Sequence, residues 1–112
     1  MTVFTRRYAT SSKVYIALCP SGTTNISTNP TLAAGDVQLS KDGGAFANIT
    51  TLPAVTPAAG GSVEVTFSAA ELTCSRLVVR FIDQTATKEW EDMMFTVDTY
   101  GHTSAEHPQI GQ

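Results

Sequence analysis

The feature that most constrains this 112-residue chain is the alternation of apolar and polar residues in short segments. In SVEVTF, Val63, Val65 and Phe67 occupy alternate positions, and the residues between them are polar. Because successive side chains of a strand point to opposite faces, this period predicts a strand with one buried face. Segments of this kind recur at intervals of about ten residues, which is typical of an all-β sandwich or small barrel.

Several further segments show a strand pattern. Segment 76–83, RLVVRFID, is the most apolar, and we expect it to be central in its sheet and buried on both faces. In the last segment, Met93, Phe95 and Val97 are expected to share one face, and the residues between them the other. The complete set of expected strand segments is 13–19, 37–40, 45–50, 62–67, 76–83 and 89–100.

Two local signals refine this pattern. KDGG, residues 41–44, lies between two strand segments and favours a type I′ hairpin, because both central residues of that turn have positive φ. Ser68 and Glu71 have the spacing of a capping box, which predicts one short helical turn. The expected fold is therefore an all-β sandwich of about seven short strands with one short helical turn.

The length of the chain predicts one domain, since 112 residues can bury an independent core. Both ends of this domain are expected to be extended. Residues 1–12 are polar apart from isolated side chains such as Phe4 and Tyr8, and we expect an N-terminal arm. Residues 13–101 are expected to form the sandwich, and residues 102–112 a C-terminal tail. Either these ends are frayed, or they become ordered on a neighbouring protein.

Charge and hydropathy exclude two classes of partner. The net charge is −3 and the isoelectric point is about 5.1, so the chain lacks the basic surface that binds nucleic acid. No apolar run approaches the length of a membrane span, and the N-terminal residues do not resemble a signal peptide, so no membrane association is expected. Without a secretory signal, Cys19 and Cys74 are expected to be reduced thiols.

Few side chains are candidates for chemistry. His102, Glu106 and His107 lie close together in the sequence, but their spacing matches no zinc pattern. Glu89 and Glu91 would need a second acidic strand facing them to form a paired-carboxylate hydrolase. We therefore expect no catalytic residue, no metal and no cofactor.

The stretch GDVQLSKDGGAFANITTLP, a Gly-rich loop, VEVTFSAAELTCSRLVVRFID and WEDMMFTVDTYG form one pattern over about residues 35–101. This pattern resembles the small immunoglobulin-like β-domains in virion proteins of tailed bacteriophages. The resemblance implies an immunoglobulin-like β-sandwich and a non-enzymatic structural protein, assembled in the cytoplasm of the bacterial host and carried in the virion. It implies as partners other virion proteins, such as the major capsid protein or neck and tail proteins, or a second copy of the chain.

From this resemblance we expect a capsid decoration or head accessory protein that binds its neighbours through its arms and a sheet edge. One alternative is a neck, tail or baseplate component of the same particle. Another is a carbohydrate-binding module with Trp90, Tyr15 and Tyr100 as an aromatic platform, and the last is a small hydrolase that uses acidic residues near the final strand. The residues expected to contact a partner are Phe4, Arg6, Arg7, Tyr8, Gly43, Gly44, Trp90, His107 and Ile110.

Overall fold

The computed structural model describes residues 2–20, 22 and 25–107, and within these ranges the chain forms β-strands and no helix. The predicted all-β class is therefore confirmed, although the segments expected at 13–19 and 45–50 form shorter strands than predicted. The strands of the described residues are β1 Thr2–Arg7, β2 Ser12–Ile16, β3 Val37–Lys41, β4 Ala47–Asn48, β5 Ala54–Val55, β6 Val63–Phe67, β7 Arg76–Phe81 and β8 Met93–Tyr100.

These strands form two sheets. The larger has five strands in the order β1-β8-β7-β3-β4, and the smaller has three in the order β2-β6-β5. All the pairings are antiparallel except that of β1 with β8, which is parallel. The first and last strands of the chain therefore lie side by side, and β7 is the middle strand of the larger sheet, as its apolar sequence predicts.

The two sheets share one hydrophobic core. From the smaller sheet, Val63, Val65 and Phe67 of β6 are wholly buried, which confirms the alternation predicted for this strand. From the larger sheet, the rings of Phe81 and Phe95 lie 6.1 Å apart between their centroids. Burying an apolar side chain of this size contributes roughly 1.5–3 kcal/mol to the free energy of folding, so this core is the main source of stability.

The expectation that segment 76–83 is buried on both faces is wrong. Leu77, Val79 and Phe81 are buried, whereas Val78 and Arg80 between them are partly exposed. The reason is that a strand central in sheet order still has one face toward solvent when its sheet has a core on one side only. A short run of apolar residues does not distinguish these two situations.

The prediction of an extended N-terminal arm is wrong for Thr2–Arg7, which form β1. The backbone of β1 pairs with β8 in a register that places Val3 beside Thr96. The ring of Phe4 packs edge-to-face on Phe95, with 5.3 Å between the ring centroids. Parallel pairing of distant segments carries no local turn signal, so the sequence pattern alone did not identify this strand.

The beginning of the predicted C-terminal tail also folds onto the larger sheet. The backbone N–H of His107 donates to the carbonyl of Thr99 at 3.0 Å, and the N–H of Gly101 donates to the carbonyl of His107 at 3.1 Å. Ala105 is buried within this short return. Residues up to His107 are therefore part of the folded body, while Ile110 lies outside the described residues.

Both predicted local signals form. Asp42 and Gly43 have φ values of 51° and 83°, and the Gly44 N–H donates to the Lys41 carbonyl at 2.9 Å, as a type I′ turn requires. The Ser68 N–H donates to Oε1 of Glu71 at 2.8 Å, and the Glu71 N–H donates to the Ser68 hydroxyl at 3.2 Å. The capping box is thus confirmed, but it closes a turn and no helix follows it.

Candidate functional site

The acidic side chains of this protein mainly hold loops in place. Asp83, after β7, is buried and accepts hydrogen bonds from the backbone N–H groups of Thr85 at 3.0 Å and Glu89 at 2.7 Å. These hydrogen bonds lower the pKa of Asp83 below its ordinary value. The bond from Glu89 has the largest effect, and the bond from Thr85 the second largest. Asp36 is also buried and accepts from the N–H groups of Ala33 and Gln84 at 3.0 and 3.1 Å.

The two carboxylates considered for a hydrolase site are bound in the same way. Oε1 of Glu89 accepts the backbone N–H of Thr31 at 2.8 Å, and Oε1 of Glu91 accepts the N–H of Gly22 at 3.0 Å. Each carboxylate therefore fixes a different point of the loop between β2 and β3. This arrangement gives both side chains a structural role and does not aim them together at one substrate position.

Trp90 lies between these two acidic residues in sequence, but its indole is in the core. The side chain is wholly buried, its Nε1–H donates to the carbonyl of Thr31 at 3.1 Å, and its ring lies 6.2 Å from that of Phe81. The prediction that Trp90 contacts a partner is therefore wrong. An aromatic platform of Trp90 with Tyr15 and Tyr100 is excluded for the same reason, since the indole is not at the surface.

The hairpin tip is held by a third carboxylate. Oδ1 of Asp42 accepts the hydroxyl of Ser75 at 2.6 Å and the backbone N–H of Arg76 at 2.9 Å. The bond from the Ser75 hydroxyl is the largest cause that lowers the pKa of Asp42. This attachment fixes the turn to the start of β7 and leaves Gly43 and Gly44, two of the predicted contact residues, exposed.

A charged cluster joins the return segment to β7 and β8. The guanidinium of Arg76 donates to Asp98 at 2.9 Å and to Glu106 at 3.2 Å, and the first of these bonds is the largest cause that raises the pKa of Arg76. Nε2 of His107 lies 3.6 Å from the other carboxylate oxygen of Asp98. Within residues 2–20, 22 and 25–107, no group of three or more histidine, cysteine, aspartate or glutamate side chains could hold a metal ion.

The remaining predicted contact residues are divided between internal packing and the surface. The guanidinium of Arg6 donates to the carbonyl of Lys13 at 3.2 and 3.1 Å. These bonds link β1 of the larger sheet to β2 of the smaller sheet. The ring of Tyr8 stacks on His102 with 4.2 Å between centroids. Arg7 is exposed. Phe4, Arg6, Tyr8 and His107 therefore take part in intramolecular contacts, and Arg7, Gly43 and Gly44 are accessible to a partner.

The sequence did not identify one exposed surface with apolar character, which we call the outer face. It is the side of the larger sheet that points away from the core. Val3 and Met94 are 57% and 41% exposed there, and Val78 is partly exposed beside Thr96. Arg80, also on this face, lies over the ring of Phe46 at 3.9 Å and hydrogen bonds to Gln38. By strand register, the members of the outer face are Val3, Thr5, Arg7, Gln38, Ser40, Arg76, Val78, Arg80, Met94, Thr96 and Asp98. Of these, Ser40, Thr96 and Asp98 are buried beneath their neighbours.

Two concavities lie on the outer face. One, of about 300 Å³, is lined by Arg80, Met93 and Met94 together with Ile82 and Asp92. The other, of about 410 Å³, lies beside the hairpin tip and the charged cluster, and its lining residues are Asp42, Gly43, Ser75, Arg76, Val78 and Glu106. The alternation in segment 76–83 is the signal that could have located this surface, because it places Val78 and Arg80 on one side.

A separate groove of about 390 Å³ lies on the smaller sheet. Exposed Tyr15 and Ile26 line it together with Gly60 and Gly61. The hydroxyl of Tyr15 donates to Glu64 at 3.0 Å, and this bond is the largest cause that raises the pKa of the phenol. The tyrosine is thus held over the sheet by its own hydrogen bond.

Cys19 and Cys74 are not joined by a disulfide. Burial raises the pKa of Cys74 to about 11, so this thiol behaves as a small apolar core residue. No helix in the described part of the chain is long and apolar enough to cross a membrane. Comparisons with protein-family models, with curated proteins and with solved structures find no match to this chain.

Proposed function

We propose that this chain is a non-enzymatic structural protein of a bacteriophage virion. In this proposal it is a capsid decoration or head accessory protein with an immunoglobulin-like fold, and it binds neighbouring virion proteins. The resemblance of residues 35–101 to such domains supports the biological setting. The arrangement of strands and the exposed surface support the fold and the mode of action.

The strand order supports an immunoglobulin-like sandwich of the variable type. In that fold, strands B, E and D form one sheet, and C′, C, F and G form the other. The order β2-β6-β5 corresponds to the first set, and β4-β3-β7-β8 to the second. The first strand, β1, extends the second sheet by pairing with β8.

The observation that carries the proposed mode of action is the open outer face of the larger sheet. Large apolar side chains, Val3 and Met94, are exposed there beside two concavities and several guanidinium groups. Aromatic, methionine and arginine side chains are enriched where proteins bind one another. Asp36, Asp83, Glu89 and Glu91 accept backbone N–H groups and so serve to fix loops.

The proposal differs from the sequence-based expectation in the surface used for binding. An extended N-terminal arm was expected to bind a neighbour, but Thr2–Arg7 are a strand of the larger sheet. Binding is therefore assigned to the outer face and to the exposed hairpin tip at Gly43 and Gly44. Both can contact another protein without any change in the strands that carry them.

The test is quantitative mass spectrometry of particles purified from the lysate that contains this chain. A copy number equal to that of the major capsid protein, or a simple fraction set by capsid symmetry, is expected for a decoration protein. A count that matches one small ring would move the chain to the neck, tail or baseplate. Absence of the chain from purified particles would refute the virion proposal.

A further inference from the structure

We infer that the outer face is the interface of a symmetric homodimer, in which two copies pack these faces together in opposite strand directions. This inference goes beyond the proposed function and does not depend on it. It describes the free protein, and a weak dimer that dissociates leaves the outer face available to a virion neighbour. Three observations carry it: an exposed apolar centre, an unequal distribution of charge between the two ends of the face, and the area of the sheet.

The apolar centre lies where three strands meet. The pairing register places Val3 of β1 and Val78 of β7 on either side of Thr96 in β8. Met94 is two residues before Thr96 on the same side of β8, so it adjoins both valines. Burying these side chains against another copy would remove apolar area from water at the middle of the contact.

The two ends of the face carry opposite charge. The end nearest the hairpin tip contains three carboxylates, from Asp42, Asp98 and Glu106. It also contains two guanidinium groups, from Arg76 and Arg7. Lys41 adjoins Asp42 but pairs with the core residue Leu77 and donates to the carbonyl of Ala70, so its side chain belongs to the other side of the sheet. On the outer face, carboxylates therefore outnumber cations at this end, which we call the acidic end.

At the opposite end, which we call the basic end, the guanidinium of Arg80 is held by neutral groups, the amide of Gln38 and the ring of Phe46. Asp92 and Lys88 lie beside it and neutralise one another in an ion pair. Arg76 and Arg80 are four residues apart on β7, so the two ends are separated by about 13 Å.

This distribution is complementary to itself. A twofold axis through the centre places the basic end of each copy on the acidic end of the other, and the same contact is made twice. An acidic or a basic partner protein would match only one end of the face and would repel the other. A second copy of this chain satisfies both ends.

The size of the sheet predicts a weak dimer. Five strands and the six residues of β7 cover about 24 Å by 20 Å, so two copies would bury about 1,000 Å² in total. This area is at the lower limit for a specific interface, and we therefore expect association to depend on concentration.

Sedimentation equilibrium of the full chain from about 1 μM to about 1 mM covers the range in which such interfaces dissociate. The wild-type protein is expected to pass from monomer to dimer over this range. The variants Arg80→Glu and Glu106→Arg are each expected to weaken dimerisation at least tenfold, because each places like charges together. Lys13→Glu, a matched charge reversal on the smaller sheet, is expected to dimerise as the wild type does.

The decisive measurement uses an equimolar mixture of the two outer-face variants, Arg80→Glu and Glu106→Arg. A heterodimer of Arg80→Glu with Glu106→Arg restores opposite charges at both contacts, so the mixture is expected to dimerise more strongly than either variant alone. Circular dichroism shows whether each variant retains the wild-type fold. If a variant does not fold, it is replaced by Arg80→Gln or Glu106→Gln, for which a smaller loss of dimer affinity is expected.

Three outcomes would overturn the inference: a wild-type protein that is monomeric at every concentration, variants that dimerise without loss, or a control that loses as much as they do. The particle measurement and the sedimentation measurement are independent. A chain absent from virions can still dimerise, and a virion protein can still be monomeric, so the failure of one proposal is distinguishable from the failure of the other.

Discussion

The two faces of the five-stranded sheet are made by the same strands but differ in burial and in polarity. On the inner face, Phe81 and Phe95 are wholly buried and pack on other aromatic rings. On the outer face, Met94, the residue before Phe95, is 41% exposed, and Arg80, the residue before Phe81, is partly exposed. Alternate positions of one strand therefore divide side chains that pack in the core from side chains that face solvent.

The loops add a third element to this comparison. Carboxylates that accept backbone N–H groups hold several of them in place. Asp36 and Asp83 act at the end of the larger sheet where β7 finishes, and Asp42 acts at the end where it begins. Stability should therefore respond strongly to inner-face changes, less to loop carboxylates, and least to outer-face changes.

The largest effect is expected for Phe95→Ala. Removing a wholly buried ring leaves a cavity between the two sheets, so the free energy of unfolding should fall by about 3–5 kcal/mol. Met94→Ala on the neighbouring position is the matched control and should change it by less than about 1 kcal/mol. Urea unfolding followed by fluorescence of Trp90 measures both. Equal losses for the two variants would remove the distinction between the faces.

The next effect is expected for Asp83→Ala. The substitution leaves the N–H groups of Thr85 and Glu89 without their acceptor, and about 1–3 kcal/mol of stability should be lost. Asp92→Ala is the control, because the carboxylate of Asp92 is exposed and pairs only with Lys88 among the described contacts. The same urea experiment applies. A loss for Asp92→Ala as large as that for Asp83→Ala would show that charge, and not loop anchoring, is responsible.

A smaller effect is expected at the capping box. Ser68→Ala removes the acceptor for the Glu71 N–H, and the free energy of unfolding should fall by about 1 kcal/mol. Ser68→Thr keeps a hydroxyl at this position and should restore most of the loss. Thermal unfolding of the two variants in parallel is the measurement, and no difference between alanine and threonine would contradict the assigned role of the hydroxyl.

The smallest effect is expected from acidification. Hydrogen bonds lower the pKa values of Asp42 and Asp83 in the folded protein, so the unfolded chain takes up protons first as the pH falls. This contribution to stability is present above the unfolded pKa of about 4 and is lost as the pH falls through the folded values. Urea midpoints measured between about pH 6 and pH 3 should decrease, and less so for Asp42→Asn combined with Asp83→Asn. Equal slopes for the variant and the wild type would contradict this assignment.

Residues with a local signal were predictable from sequence. The alternation of Val63, Val65 and Phe67, the Asp42–Gly43 turn and the Ser68–Glu71 capping box depend on near neighbours, and all three form as expected. The pattern could not show how the two ends of the chain meet. The pairing of β1 with β8 depends on tertiary packing that no short window contains.

Trp90 was misjudged for a related reason. Its position between Glu89 and Glu91 in the sequence does not show that these carboxylates bind loop N–H groups or that the indole packs in the core. The outer face could be located only in part. Alternation identifies Val78 as facing one side of its strand, but which side is open depends on what covers the sheet.

The proposal that the dilution of a single protein can test is that two copies of this chain bind each other through the outer face. Its most direct test is a dilution series of isotope-labelled protein followed by backbone amide chemical shifts. Concentration-dependent shifts are expected to be confined to residues around Val78, Arg80 and Met94, with β2 and β6 unchanged. Shifts centred on the groove at Tyr15, or none at any concentration, would contradict it.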